Sequence, residues 1–430
     1  MYLRPLKLTA LALTAAVGAF SNSASAQVAS PSLTETYAST ATEDLPVMAR
    51  PRPEYDAKGI PLDGGFRLFP ALTVTGTSDD NIYRTQTLTQ SDFIFDIAPT
   101  LRVRSDWNRH MLELYAGLNN YEYTSHSSEN LTDWNAGADG RYDITGGASV
   151  YDNGSVAQLH ENRSSPNNVG FQASPNRYFQ YHDEISATYQ PNRLGFTAGG
   201  LYDQFNYQFT PLIGGGFQNN QDRNFSEYQA YGKAFYDFSP GYTGFVRAAY
   251  DTRQFASTLD RTGVHRSSNG YRIDAGVDLQ LSHLVSGEAY VGYLKQDFTA
   301  PLKSLGGIDY AVKLDWLATP LLTVHLEGQR TLTQVILAGA SVSDDKSISL
   351  SADYELLRDV IVQARGAYVD SSYPGITRHD TYPDLSVGLK YMIDRHFSAD
   401  LKYDYSERST NIGGFNFSDN LIMVGINLHD

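Results

Sequence analysis

The chain contains no cysteine. That absence excludes disulfides, cysteine-ligated zinc, a cysteine nucleophile and the lipid-modified cysteine of a lipoprotein. Long apolar runs are missing too: Leu8–Phe20 is uncharged but too short to cross a bilayer as a helix, and no later stretch is long enough. Basic residues are scarce, 33 Lys and Arg against 48 Asp and Glu, for a net charge of −15. An acidic chain lacks the electrostatic footprint of a nucleic-acid binder, so no nucleic-acid partner is expected. Catalytic signatures are absent as well. No Gly-x-Ser-x-Gly, His-Glu-x-x-His or Gly-x-Gly-x-x-Gly occurs, and Gly214-Gly215-Gly216 lacks the Lys-Ser/Thr that would make it a phosphate loop. The expectation is no enzyme, no cofactor, and no catalytic, cofactor-binding or metal residues. Asp79-Asp80-Asn81 has oxygens suited to a hard cation, but Asp and Asn also cap strand-end turns, which is their commoner use.

Met1–Ala26 has the three parts of a secretory signal: basic Arg4 and Lys7, the apolar run, and the small-x-small site Ala24-Ser25-Ala26. Cleavage there starts the mature chain at Gln27 and takes the net charge from −15 to about −17. Gln27–Gly65 carries five prolines (31, 46, 51, 53 and 61) among many Ser and Thr and shows no period, so it reads as a disordered periplasmic lead-in. From Phe66 to Asp430 one pattern runs without a boundary.

That pattern is alternation. Between Asp92 and Arg104, Phe93, Phe95, Ile97, Pro99, Leu101 and Val103 share one side of an extended chain, and Asp92, Asp96, Thr100, Arg102 and Arg104 share the other. Tyr271–Leu281 repeats it, with Ile273, Ala275 and Val277 opposite Arg272, Asp274 and Asp278. Asp133–Ile144, Tyr310–Trp316, Ile348–Leu356, Leu385–Ile393 and Phe397–Tyr405 do likewise, whereas Ala148–Arg163 is blurred. A helix would mix these sets. The connections alternate in length: turns such as Ser239–Tyr242 and Ser282–His283 separate longer polar segments such as Thr124–Asn130, Ser164–Pro175 and Thr210–Gln221. Short periplasmic turns and long outer loops characterise outer-membrane barrels, and 30 Tyr and 20 Phe suit their interfacial girdles. The expected fold is all-β: one transmembrane barrel of about eighteen antiparallel strands, within a range of sixteen to twenty, in the cell outer membrane.

A barrel of that size encloses water rather than a packed core. Its lumen-lining candidates are Arg102, Arg141, Asp143, Arg272, Asp274, Lys313, Asp353, Lys390 and Lys402. These charges either steer solutes or brace the wall in pairs. Such a chain would have outer-membrane lipid and the barrel-assembly machinery as partners.

Several short motifs come in a familiar order: Phe69-Pro70, Asp79-Asp80-Asn81-Ile82-Tyr83, Ser91-Asp92-Phe93-Ile94, Pro99-Thr100-Leu101, Ser105-Asp106-Trp107, Gly140-Arg141-Tyr142-Asp143-Ile144 and Glu161-Asn162-Arg163-Ser164-Ser165-Pro166, then Gly287-Glu288 and Val291-Gly292-Tyr293. With them the chain resembles the bacterial family named putative beta-barrel porin type 2. The resemblance implies an outer-membrane barrel and, as in some members, an association with exopolysaccharide production or export. It supplies no functional residues. The expected function is porin-like passage of polar solutes or an exported polysaccharide; the alternative is a non-conducting structural or assembly partner of an envelope complex.

Overall fold

A computed structural model describes residues 45–430, apart from 145, 169–170 and 282–283. The expected signal, the lead-in as far as residue 44 and the turn at Ser282–His283 lie outside the described residues. Eighteen long strands follow one another: Phe66–Asp79 (β1), Asp92–Ser105 (β2), Met111–Tyr123 (β3), Leu131–Asp143 (β4), Ala148–His160 (β5), Arg177–Tyr189 (β6), Leu194–Tyr207 (β7), Phe225–Ser239 (β8) and Tyr242–Phe255 (β9). Ser268–Leu281 (β10), Val285–Phe298 (β11), Leu305–Thr319 (β12), Leu322–Gln334 (β13), Val342–Leu357 (β14), Val360–Ser372 (β15), His379–Met392 (β16), Phe397–Thr410 (β17) and Phe417–His429 (β18) complete the set. Each pairs antiparallel with its sequence neighbours, and β1 pairs with β18 from Ala71↔His429 to Asp79↔Leu421, which closes the barrel. Closure leaves no long strand edge unpaired. The blurred segment after Gly147 is β5, in register with both neighbours.

The two walls differ as the alternation requires. Along β2, Phe93, Phe95, Ile97 and Leu101 are exposed, while Asp92, Ile94, Asp96 and Ala98 between them are buried. In a soluble fold the apolar side would be hidden. Here it faces outward all round the sheet, from Val74 on β1 to Val424 and Ile426 on β18. An exposed apolar belt on a closed antiparallel sheet is the arrangement that lipid favours. Aromatic rings also cover glycines across the pairing. Tyr231 lies over Gly199, where a Cβ would come within 2.6 Å of its ring, so only glycine lets that ring lie flat on the inner wall.

One expectation needs correction. The lead-in is not structureless from Leu45 on. Val47 is fully buried and packs with Ile361 and Met392, flanked by Met48 and Tyr55. Its amide donates to Thr323 Oγ1 at 2.9 Å, and Arg52 Nη2 donates to Glu355 at 3.1 Å. Ile60–Leu62 then pairs with Phe66–Leu68 of β1. The prolines and polar residues suggested disorder because the segment has no core of its own. It borrows one from the inner wall of β13–β16, which local composition cannot reveal.

Candidate functional site

Eighteen strands about 4.8 Å apart, tilted by about 40°, enclose a space roughly 35 Å across. The candidate site is the inner wall of that space and the segments that fold into its two mouths.

All nine expected lumen residues lie on the wall opposite the exposed apolar belt, at alternate positions to neighbours such as Leu101, Tyr142, Ile273, Trp316, Tyr354, Leu389 and Leu401. Most are engaged in pairs. Arg102 meets Glu113 at 3.0 Å, Arg141 meets Asp143 at 2.9 Å, and Lys402 meets Asp404 at 2.7 Å. Arg272 lies 3.5 Å from buried Asp309, and Asp274 receives Arg247 at 3.1 Å. Asp353 holds His325, which Asp315 also binds, and accepts from Gln363. Lys313 and Glu327 form an exposed pair at 3.7 Å, and Lys390 stands opposite Asp400 in the pairing of β16 with β17. These charges therefore brace the wall as pairs. Lys233, Arg247 and Arg253 add to it; Arg247 is 1% exposed, with its guanidinium over Tyr290 at 4.4 Å. Removing one partner of such a buried pair costs about 3–5 kcal/mol, because the other charge is left uncompensated.

The outer mouth is narrowed by a loop that the charge pattern did not single out. The connection 161–176, between β5 and β6, starts in an anchored network. Glu161 is buried and accepts from Arg223 Nη1 at 2.8 Å and Asn176 Nδ2 at 2.8 Å, and Arg223 lies over the Tyr207 ring at 3.8 Å. Burial opposes ionisation of Glu161, but Arg223, Asn176 and Asn167 outweigh it and hold the carboxyl below the usual range. Arg163 Nε reaches Glu129 at 2.9 Å.

From there the loop leaves its own side of the barrel. Ser164 O accepts from Arg408 on β17 at 3.0 Å, and Asn167 Oδ1 accepts from the Ile336 amide at 2.9 Å. Ile336 belongs to the β13–β14 connection, eight strands away and almost diametrically opposite. Residues from the two sides of the outer mouth therefore meet. Arg266, from the connection between β9 and β10, donates to Val335, Leu337 and Ala340 carbonyls. Below the loop, Tyr178, Phe205, Tyr207 and Phe225 form an apolar cluster on the inner wall. Glu161 and Arg163 stood within a motif of the sequence, but their partners Arg223 and Glu129 are far along the chain and carried no signal.

At the opposite end the 45–58 segment occupies part of the short-turn mouth, against Thr323, Glu355, Ile361 and Met392. Both ends of the lumen thus carry an inward segment, one tied by charge pairs and one by an apolar cluster.

Comparison with a family model agrees with this architecture. The family model described as Putative beta-barrel porin 2 matches residues 52–430. No curated protein matches the chain. Among solved structures it is similar to the outer-membrane protein OpdK of Pseudomonas aeruginosa, at 11% identity over 84% of this chain and 99% of that one, with a TM-score of 0.43. It is also similar to OccAB4 of Acinetobacter baumannii, at 12% identity over 87% and 99% with a TM-score of 0.44. A third is OccK2 (OpdF) of Pseudomonas aeruginosa in complex with glucuronate, at 10% identity over 84% and 98% with a TM-score of 0.46.

Proposed function

For a chain that belongs to the putative beta-barrel porin 2 family, an outer-membrane β-barrel, we propose passive passage of small polar solutes rather than catalysis. The observation that carries this is the pairing of an apolar outer belt with a charged inner wall around an enclosed space. In this reading Arg102, Arg141, Asp143, Arg272, Asp274, Lys313, Asp353, Lys390 and Lys402 line the lumen, and their pairing with neighbouring groups of opposite charge makes the wall hydrated but not strongly selective for one sign. An exported polysaccharide is the less favoured cargo, because Ser164 and Asn167 meet residues of distant strands and connections at the outer mouth and narrow it. A second reading, a non-conducting partner in an envelope complex, is favoured by the inward segments at both ends. In this proposal residues 1–26 are removed, and mass spectrometry of protein from outer membranes finds Gln27 first.

Planar-bilayer recording on the refolded full chain tests the proposal. Discrete open steps that pass small ions and mono- or disaccharides support a channel. Silence in the native protein that persists when 161–176 is shortened supports the non-conducting reading and overturns the channel.

A further inference from the structure

The barrel closes where β1 meets β18, and the outer end of that seam carries three carboxylates. Asp79 ends β1, Asp80 follows it, and Asp419 lies near the start of β18, just beyond the last register pair Asp79↔Leu421. One oxygen from each lies within 4.8 Å of the others. The residues are tied in place by ordinary hydrogen bonds. The Asn81 amide donates to Asp79 Oδ1 at 2.8 Å, which is the turn expected of Asp-Asp-Asn. Asp80 accepts from the Asn420 amide at 2.8 Å and from its Nδ2 at 2.7 Å.

Asp419 is different. Its side chain is 0% exposed, its Oδ2 meets Arg84 Nη1, and its Oδ1 has no hydrogen-bond partner among the described residues. Arg84 also reaches Asp79 Oδ2 at 3.4 Å. With all three carboxylates ionised against one guanidinium, two negative charges would remain uncompensated in a part-buried space. A buried carboxylate oxygen that nothing satisfies, beside two more carboxylates, is costly unless a proton or a cation sits between them.

We propose that Asp79, Asp80 and Asp419 bind a calcium ion that staples the first strand of the barrel to the last. The donors are all hard oxygens, with no nitrogen or sulfur ligand to favour zinc or copper, and two excess charges match a divalent cation. Water completes the shell. A site with three protein carboxylates on an outer rim belongs with extracellular calcium modules, whose affinities are about 10⁻⁴–10⁻³ M. The two halves of the site come from residues 79–80 and 419, so binding requires closure and rewards it.

The experiment uses the refolded full chain in detergent. Terbium is added alone, its luminescence sensitised by nearby tyrosines; Tyr403, whose hydroxyl donates to Asn420 Oδ1 at 2.7 Å, is one donor. Calcium is then titrated in, and the heat-modifiability midpoint is compared in millimolar calcium and in chelator. The expected result is terbium emission displaced by calcium, a higher midpoint in calcium, and loss of both effects in Asp419→Asn. Asp80→Asn is the second variant, because Asp80 is exposed and less needed for assembly; it too should lose both effects. Persistence of both effects in both variants would assign the ions to other surfaces and overturn the site. So would a wild type indifferent to calcium together with an Asp419→Asn variant more stable than it, since the carboxylates would then share a proton.

Discussion

Glu161→Gln tests whether the crossing loop sets the open area of the outer mouth. The change keeps the shape of the side chain and removes its charge. Arg223 then stays 3% exposed with its carboxylate partner gone, while Glu161 itself is 5% exposed, so neither group has water to turn to. Losing one member of a buried pair costs about 3–5 kcal/mol. The barrel does not share that cost, because its eighteen strands pair without the loop. It falls on the closed arrangement of 161–176. At about 1.4 kcal/mol per tenfold, the balance between crossed and released loop shifts by a factor of roughly 10² to 4 × 10³. Heat-modifiable migration should therefore be unchanged, cleavage by trypsin at Arg163 should accelerate, and planar-bilayer recordings should show larger or longer open steps. The double variant Glu161→Leu with Arg223→Met removes both charges and should restore protection, since apolar replacement of a buried pair is often neutral. Unchanged cleavage and unchanged conductance in Glu161→Gln would refute the idea that this pair holds the mouth closed.

Three further outcomes follow from the same geometry. Val277, 41% exposed on the apolar belt, and Asp278, bound to Lys233 at 3.1 Å, are neighbours on opposite walls. Val277→Arg should cost roughly 1–3 kcal/mol of assembly, between the midplane and interface values, while Asp278→Asn should assemble normally, because Asp278 is 36% exposed and Lys233 keeps Glu288 at 3.9 Å as a counter-charge; equal yields of heat-modifiable protein would disprove the wall assignment. Removing Leu45–Lys58 uncovers Ile361 and Met392 at the short-turn mouth, so single-channel conductance should rise, and an unchanged value would show that the segment does not restrict the path. Acid should release the outer loops. Burial opposes ionisation of Asp260, but Thr262, Arg266 and the Val264 amide outweigh it and hold it below its usual range, as Glu161 is held by its partners. Groups depressed in the folded state contribute stability above their unfolded pKa and lose it as pH falls through the folded value. Protease protection of the loops should therefore be constant near neutrality and fall below about pH 4; loss of protection on raising the pH instead would contradict the sign.

The sequence alone determined the barrel. A side-chain period of two, with Phe93, Phe95 and Ile97 on one side and Asp92 and Asp96 on the other, is a local property that needs no partner to be read. Repeated along the chain with short and long connections in turn, it also gave the strand number and the apolar outside. Loop Thr124–Asn130 was legible to the residue, because strand length is fixed by where alternation stops. What remained was decided by tertiary structure. Glu161 finds Arg223, Asn167 finds Ile336 and Val47 finds Ile361 across separations of 62, 169 and more than 300 residues, and nothing local says which residue each will meet. Asp419 meets Asp79 only because the sheet closes. Composition read 45–58 as disordered for the same reason: burial belongs to a pair of surfaces, and the second surface is built only when β13–β16 stand side by side.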